Sequence, residues 1–192
     1  MKKIKRILII MLIVCITLTS QTVYASTKQM SSKQKNAYQK KVHALLKKEK
    51  KESNELGFTS MWGNLGINYV YFDINKDGIK ELVVKGHCIG TNVYTYKKGK
   101  IKRIGQGGDG TCSSACMYNK KYFVICVEGE LRLYKRKSSN YDYENAVSVG
   151  WAADRFGNHI QGDENISNCK KYKICNDKGE VIMKQFDWKT IK

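Results

Sequence analysis

Beyond Gly57 the chain is a succession of short aromatic and β-branched runs, each broken after several residues by Gly, Asn, Asp or Lys. "INYVYFD", "KELVVKG", "TNVYTYKKGKIKRI", "YFVICVEGELRLYKRK" and "YKICNDKGEVIMKQF" all have this form. Runs this short suit strands, and connections this tight join antiparallel neighbours. The pattern predicts hairpins turning around Lys98 and Gly99, at Glu128 to Glu130, and at Asp177 to Gly179. There is no proline in the chain, so every ladder donor is available. In "YFVICV" both faces are apolar, which places that strand centrally. In "ELRLYKRK", Leu131 and Leu133 share one face and Arg132 and Arg136 the other, the mark of a half-exposed strand.

One helix is expected before the strands. Ser31 and Gln34 fit the S-x-x-Q capping box. Tyr38, Val42, Leu45 and Leu46 then recur at helical spacing, and the charged tail "KKEKKESNELG" runs on to a stop at Gly57. One narrow apolar stripe cannot hold a helix by itself, so it must pack on something else. The expected fold is mainly β (α+β), with one N-terminal helix packed on an antiparallel β-meander of about seven to nine strands. No linker divides the meander, so residues 33–192 read as a single domain behind a flexible leader, 26–32. "GQGGDGTCSS", "SSNYDYENA" and "RFGNHIQGDENISN" read as irregular stretches.

The first 25 residues carry a different signal. "MKKIKR" is basic, "ILIIMLIVCITL" is apolar but short for a membrane span, and "VYA" places small residues at Val23 and Ala25. A signal peptide with cleavage before Ser26 is expected, hence a secreted or cell-envelope-associated protein with no membrane span after cleavage. An N-terminal anchor is the competing reading, and Val14 speaks against lipidation at Cys15. The formal charge is +18; losing the signal's four cations, which no acid offsets, leaves +14. Such a charge favours anionic cell-wall polymers, lipid headgroups, acidic glycans or nucleic acid. Lys predominates over Arg, the residue of specific phosphate contacts, so no specific nucleic acid is expected. Solubility alone would also account for the charge.

Six cysteines would remain: Cys88, Cys112, Cys116, Cys126, Cys169 and Cys175. They allow up to three disulfides in any of 15 connectivities, or a set of buried free thiols. "CSSAC" has no matching second pair and no nearby His, so zinc is not indicated. On an extended strand Cys112 and Cys116 would lie roughly 13 Å apart, too far to bond each other.

"YFDINKDGIKELVV" carries the one ion motif. Counting from Asp73, oxygen-bearing side chains fall at positions 1 (Asp73), 3 (Asn75), 5 (Asp77) and 9 (Glu81). Gly78 occupies the sharp turn at position 6, and Ile79 at position 7 offers a carbonyl. Calcium takes six to eight oxygens, and only a tightly curled segment converges that many. Val84 at position 12 excludes an EF-hand. The arrangement D-x-N-x-D-G-x-x-E between strands resembles the calcium hairpins of FG-GAP and integrin-type β-blades, which implies Glu81 closing the site. No second copy suggests a propeller. Three carboxylates against Ca²⁺, with Lys76 and Lys80 at the rim, imply weak binding in the roughly 10⁻⁴–10⁻³ M class. A metal-free turn, with Asp73 and Asn75 bonding local amides, is the competing reading.

The wider setting has its own likeness. "AYQKKVHALLKK", "INYVYFDINKDGIKELVV" and "NVYTYKKGKIKRI" together resemble a group of small secreted or surface-anchored proteins of Gram-positive anaerobes. The likeness runs roughly from Ala37 to Ile104 and implies a fold and an ion more than an activity. The cysteine-bearing second half departs from that pattern.

No catalytic constellation emerges. His43, His87 and His159 share no ligand spacing, there is no G-x-S-x-G, and the adjacent pair Asp163 and Glu164 does not face itself across a cleft. Tyr94, Tyr96, Tyr122, Tyr134, Tyr141 and Tyr143 interleave with Lys and Arg, as in surfaces that bind glycans or single-stranded nucleic acid, although sheet packing asks for the same residues. The sequence therefore suggests an exported, calcium-binding, non-enzymatic envelope or extracellular module. The alternatives are a secreted hydrolase built from loop residues such as Ser113, Ser114 and His87, or a basic secreted effector or antimicrobial.

Overall fold

Strands that are apolar on both faces need a cover on each, and the fold supplies it with four layers. The computed structural model describes residues 29–58, 66–107, 115–127, 129–142, 145–153 and 159–192. The signal segment, Cys112, Ser113, Ser114 and Tyr143 lie outside them. The first sheet contains β1 (Ile67–Phe72), β2 (Glu81–Gly86), β3 (Gly90–Lys97), β4 (Lys100–Gly107), β8 (Tyr141–Asp142) and β11 (Lys189–Ile191), in the order β11-β1-β2-β3-β4-β8. The second contains β5 (Ala115–Tyr118), β6 (Tyr122–Val127), β7 (Glu130–Lys135), β9 (Val147–Trp151) and β10 (Lys184–Gln185), in the order β10-β5-β6-β7-β9. Pairing is antiparallel except between β4 and β8.

Strand alternation allots the layers. Leu82 and Val84 of β2 face α1 (Ser32–Glu55), meeting Tyr38, Val42, Leu45 and Leu46, while Val83 faces the second sheet. Phe123 and Ile125 of β6 join Val83 and Val93 between the sheets. Val124 and Cys126 face outward under α2 (Asp163–Lys171) and the chain that follows it, with Cys169, Ile174 and Met183. The expected α+β architecture and the helix on the sheet are present, and β6 lies in the middle of its sheet. The strands number eleven among the described residues, because short β8, β10 and β11 return to edges that no local hairpin reaches.

The local signals act much as expected. Ser31 caps α1, accepting from the Gln34 amide at 3.2 Å. Gln34 does not complete the box: its Nε2 donates instead to the Lys80 carbonyl at 2.9 Å, fastening the helix to the start of β2. Lys98 (φ 52) and Gly99 (φ 77) form the two-residue β3–β4 turn, both in the left-handed region a type I′ hairpin requires. The turn before Gly179 forms as well, but its arms are a single bridge, Cys175 to Val181.

Two readings need correction, and one contact was not anticipated. α2 begins inside a stretch read as irregular and runs three residues past its end; its apolar periodicity is too short to register, and Asp163 and Glu164 at its start with Lys170 and Lys171 at its end complement the helix dipole. On β7 the alternation holds only as far as Leu133: Tyr134 beside it is buried as well, and so is Arg136 just past its end. The charged tail of α1 also makes a buried contact. Glu49 is fully buried, and its carboxylate accepts from the amides of His87 (2.7 Å), Cys88 (3.0 and 3.1 Å) and Ile89 (3.0 Å) in the β2–β3 turn. A Cβ on Gly86 would stand 2.6 Å from that carboxylate, so the turn needs glycine there.

The described cysteines, Cys88, Cys116, Cys126, Cys169 and Cys175, are all free thiols. Cys116 and Cys126 sit on neighbouring strands but in different layers, which separates their sulfurs. Burial pushes the Cys116 and Cys169 thiols up to about 12, so they stay protonated and inert at neutral pH.

Candidate functional site

The β1–β2 pairing closes at Phe72 opposite Glu81, leaving residues 73–80 as the loop. Its two left-handed positions are Lys76 (φ 61) and Gly78 (φ 84), and Gly78 has open space where a Cβ would be, so glycine is there for its backbone freedom. The side chains curl the loop onto itself. Asp73 Oδ2 accepts from the Gly78 amide at 3.1 Å, Asn75 Oδ1 from the Asp77 amide at 3.0 Å, and Asp77 Oδ1 from the Ile79 amide at 2.8 Å. Ile74 at position 2 points away from this polar side and is fully buried in the core between the sheets.

Glu81 is fully buried at the foot of the loop. Its Oε2 accepts from the Ile74 amide at 2.9 Å and its Oε1 from the Thr95 hydroxyl at 3.3 Å. Burial, helped by the charges of Asp77 and Asp73, pushes its carboxyl up to about 7. Asp73 Oδ1 is buried and has no hydrogen-bond partner.

Both ends of the loop are clamped from afar. Gln34 and Tyr38 of α1 each donate to the Lys80 carbonyl at 2.9 Å. Arg136 holds the other end: Nη2 donates to the Asp73 carbonyl at 2.5 Å and Nε to that of Ile74 at 2.7 Å. Its Nη1 donates to the Asn119 carbonyl at 3.1 Å, and the guanidinium lies over the Phe72 ring at 4.9 Å. One buried side chain therefore ties the first hairpin to the β5–β6 turn of the other sheet. The sequence showed Arg136 only as a cation on the polar side of a strand.

The sequence-predicted positions thus meet in one loop, with Asp73, Asn75 and Asp77 curled as expected and Glu81 beneath them. The donor set is of the type that suits a hard cation, and it includes Asp73 Oδ1, which has no hydrogen-bond partner. The side-chain oxygens are meanwhile turned onto the loop's own amides, and among the described residues no three His, Cys, Asp or Glu side chains are grouped as a metal site.

Around the loop the charge reverses. Burial first, then the neighbouring cations Arg136, Lys120 and Lys137, hold the Lys76 ammonium below its ordinary value. Lys120 and Lys137 are themselves exposed, and with Lys76 they put positive charge at the surface beside the loop. The described histidines stay apart: His43 is exposed on α1, His87 lies against Phe58 at 4.9 Å, and His159 bridges to Glu180. Of the sequence-flagged tyrosines, Tyr94, Tyr134 and Tyr141 are core residues. Among the described residues no helix is long and apolar enough to cross a membrane. Comparison with protein-family models, curated proteins and solved structures finds no match.

Proposed function

We propose that this chain is an exported, non-enzymatic module that binds anionic cell-envelope polymers, with a weak Ca²⁺ site stiffening its first hairpin. The observation that carries the reading is the group of exposed lysines beside the first hairpin, Lys76 with Lys120 and Lys137, on a chain of formal charge +18, or +14 without the signal's four cations. An anionic polymer laid on such a patch offsets that charge and releases its counterions. Purified protein should be retained on isolated cell-wall polymers at low ionic strength and released as salt rises. Absence of retention at low salt removes the proposal.

The side chains of Asp73, Asn75, Asp77 and Glu81, with the Ile79 carbonyl, would hold the ion. Calcium would supply fixed positive charge there and no chemistry of bond-breaking. Asp73 Oδ1 has no partner to give up, whereas Asn75 and Asp77 must exchange amide contacts, which favours a weak site. At ten times a millimolar Kd the ion adds about 1.4 kcal/mol to stability. A melt that rises in 10 mM Ca²⁺ for the wild type, and does not for Asp77→Ala, is the expected result; an unchanged wild-type melt removes the ion.

A further inference from the structure

The β5–β6 turn and the end of α2 are sewn together by Asn119. Its Nδ2 donates to the Tyr172 carbonyl at 3.0 Å, and its Oδ1 accepts from the amides of Lys121 and Tyr122, both at 2.9 Å. The seam brings two half-buried rings, Tyr122 and Tyr172, edge to face with centroids 5.4 Å apart. A depression opens on each side of this pair, and both rings line both depressions. One, of about 260 Å³, is lined by Lys120, Lys121, Lys171 and Lys173. The other, of about 390 Å³, is lined by Lys135 and Lys137 together with Ser138 and Asn145. No acidic side chain lines either one.

The lysines are placed rather than scattered. Lys173 takes a left-handed backbone (φ 57), fixed by its amide on the Lys170 carbonyl at 2.9 Å, a conformation with a cost for any residue but glycine. Lys170, which pairs with Asp177, is not part of the lining. The negative end of α2 lies here and would repel an anion, but its last turn carries Lys170 and Lys171 against it. On the other side, Arg136 sits between Lys135 and Lys137 and bonds the Asn119 carbonyl, so the two depressions share one rigid base.

We propose that the two depressions form one groove for an anionic polysaccharide, with sugar rings on Tyr122 and Tyr172 and carboxylates or phosphates on the flanking lysines. The proposal rests on the envelope-binding reading and gives it a site. Ammonium groups on flexible stems meet charges at variable spacing, and no arginine fork lines the groove to select a nucleotide phosphate. The edge-to-face rings offer an apolar surface on which a sugar ring can rest.

The test compares the purified full-length chain with two charge reversals of equal size. Lys121→Glu with Lys173→Glu strikes the groove; Lys50→Glu with Lys100→Glu strikes exposed lysines elsewhere. The probes are a polyuronate, a phosphodiester-linked glycan, inorganic polyphosphate and a single-stranded oligonucleotide. Groove reversal should weaken glycan binding about tenfold and the control reversal less than about twofold, with thermal melts verifying that both variants are folded. Tyr172→Leu should weaken both glycans and leave ring-free polyphosphate unchanged. A preference for polyuronate or for the phosphodiester glycan identifies the charged group within the proposal. Equal losses from the two reversals overturn the groove and leave the envelope reading standing. Tighter binding of the oligonucleotide than of either glycan also overturns it. No binding of any probe by the wild type removes both.

Discussion

Two hairpins in this protein each bury a whole carboxylate, and they treat it in opposite ways. Glu49, reaching from α1 into the β2–β3 turn, collects amides from three successive residues. Glu81, at the foot of the β1–β2 loop, has one amide and one long hydroxyl contact, with two other acids nearby. Donors alone satisfy the first carboxylate. The second has fewer donors to offset its burial, and that burial, with Asp77 and Asp73 adding to it, raises its carboxyl to about 7. Burial by itself therefore says little about a buried acid; the count of donors against neighbouring acids decides whether the group is a structural clamp or one side of an ion site.

The clamp should show the larger effect when broken. Glu49→Ala strands three turn amides beneath the helix and should cost about 3–5 kcal/mol by chemical denaturation. Glu49→Gln, which keeps one acceptor oxygen, should lose less. If Glu49→Ala unfolds at the wild-type denaturant midpoint, the clamp is not what holds helix and turn together.

Arg136→Met comes next, at about 3 kcal/mol, because it removes the partner of three carbonyls drawn from both sheets. Lys137→Ala beside it should change stability by less than about 0.5 kcal/mol. Equal effects of the two would mean that Arg136 acts only as surface charge.

Glu81 sharpens the contrast through pH. Its folded pKa of about 7 lies above the ordinary 4.5. The folded state therefore favours the proton, so stability contributed by the neutral acid is present below about 4.5 and lost as pH rises through 7. The loss should be about 2–3 kcal/mol between pH 5 and pH 8. Glu81→Gln should flatten that slope, and calcium should flatten it in the wild type by holding the carboxylate charged. A slope that persists in Glu81→Gln would assign the effect to another group.

The smallest effect belongs to the backbone of the loop. Gly78→Ala should cost about 1 kcal/mol, since a left-handed position gains a Cβ but meets no neighbour. Lys76→Gly, at the other left-handed position, should stabilise the loop by a few tenths. Thermal melts of the two variants, run together, separate conformational strain from ion binding.

Much of this was legible before any coordinates. The cap at Ser31, the stripe from Tyr38 to Leu46 and the turn at Lys98 and Gly99 are local signals, and local energies honour them. The loop from Asp73 to Glu81 was legible because its ligand-type side chains lie within one stretch of chain. Glu49 was not: in a run of Lys and Glu it looks like one more solvated charge, and the amides that bury it lie 38 to 40 residues on. Arg136 was hidden in the same way, its carbonyl partners at Asp73 and Ile74 lying 63 and 62 residues before it. Tyr172 and Lys173 opened a run read as a strand rather than the turn that ends α2, because α2 has too few apolar residues to announce itself, and the groove exists only where it meets another turn.

By itself, then, the sequence determined the elements: one capped helix, a train of hairpins with their turns, an acidic loop and a strongly basic charge. Those follow from backbone sterics and side-chain periodicity, which act over a few residues. Only the tertiary structure decided that two sheets share a core, which charges are buried, and where lysines from three segments line one groove. Those outcomes depend on desolvation and hydrogen bonding between residues far apart in the chain, and no short stretch contains both partners.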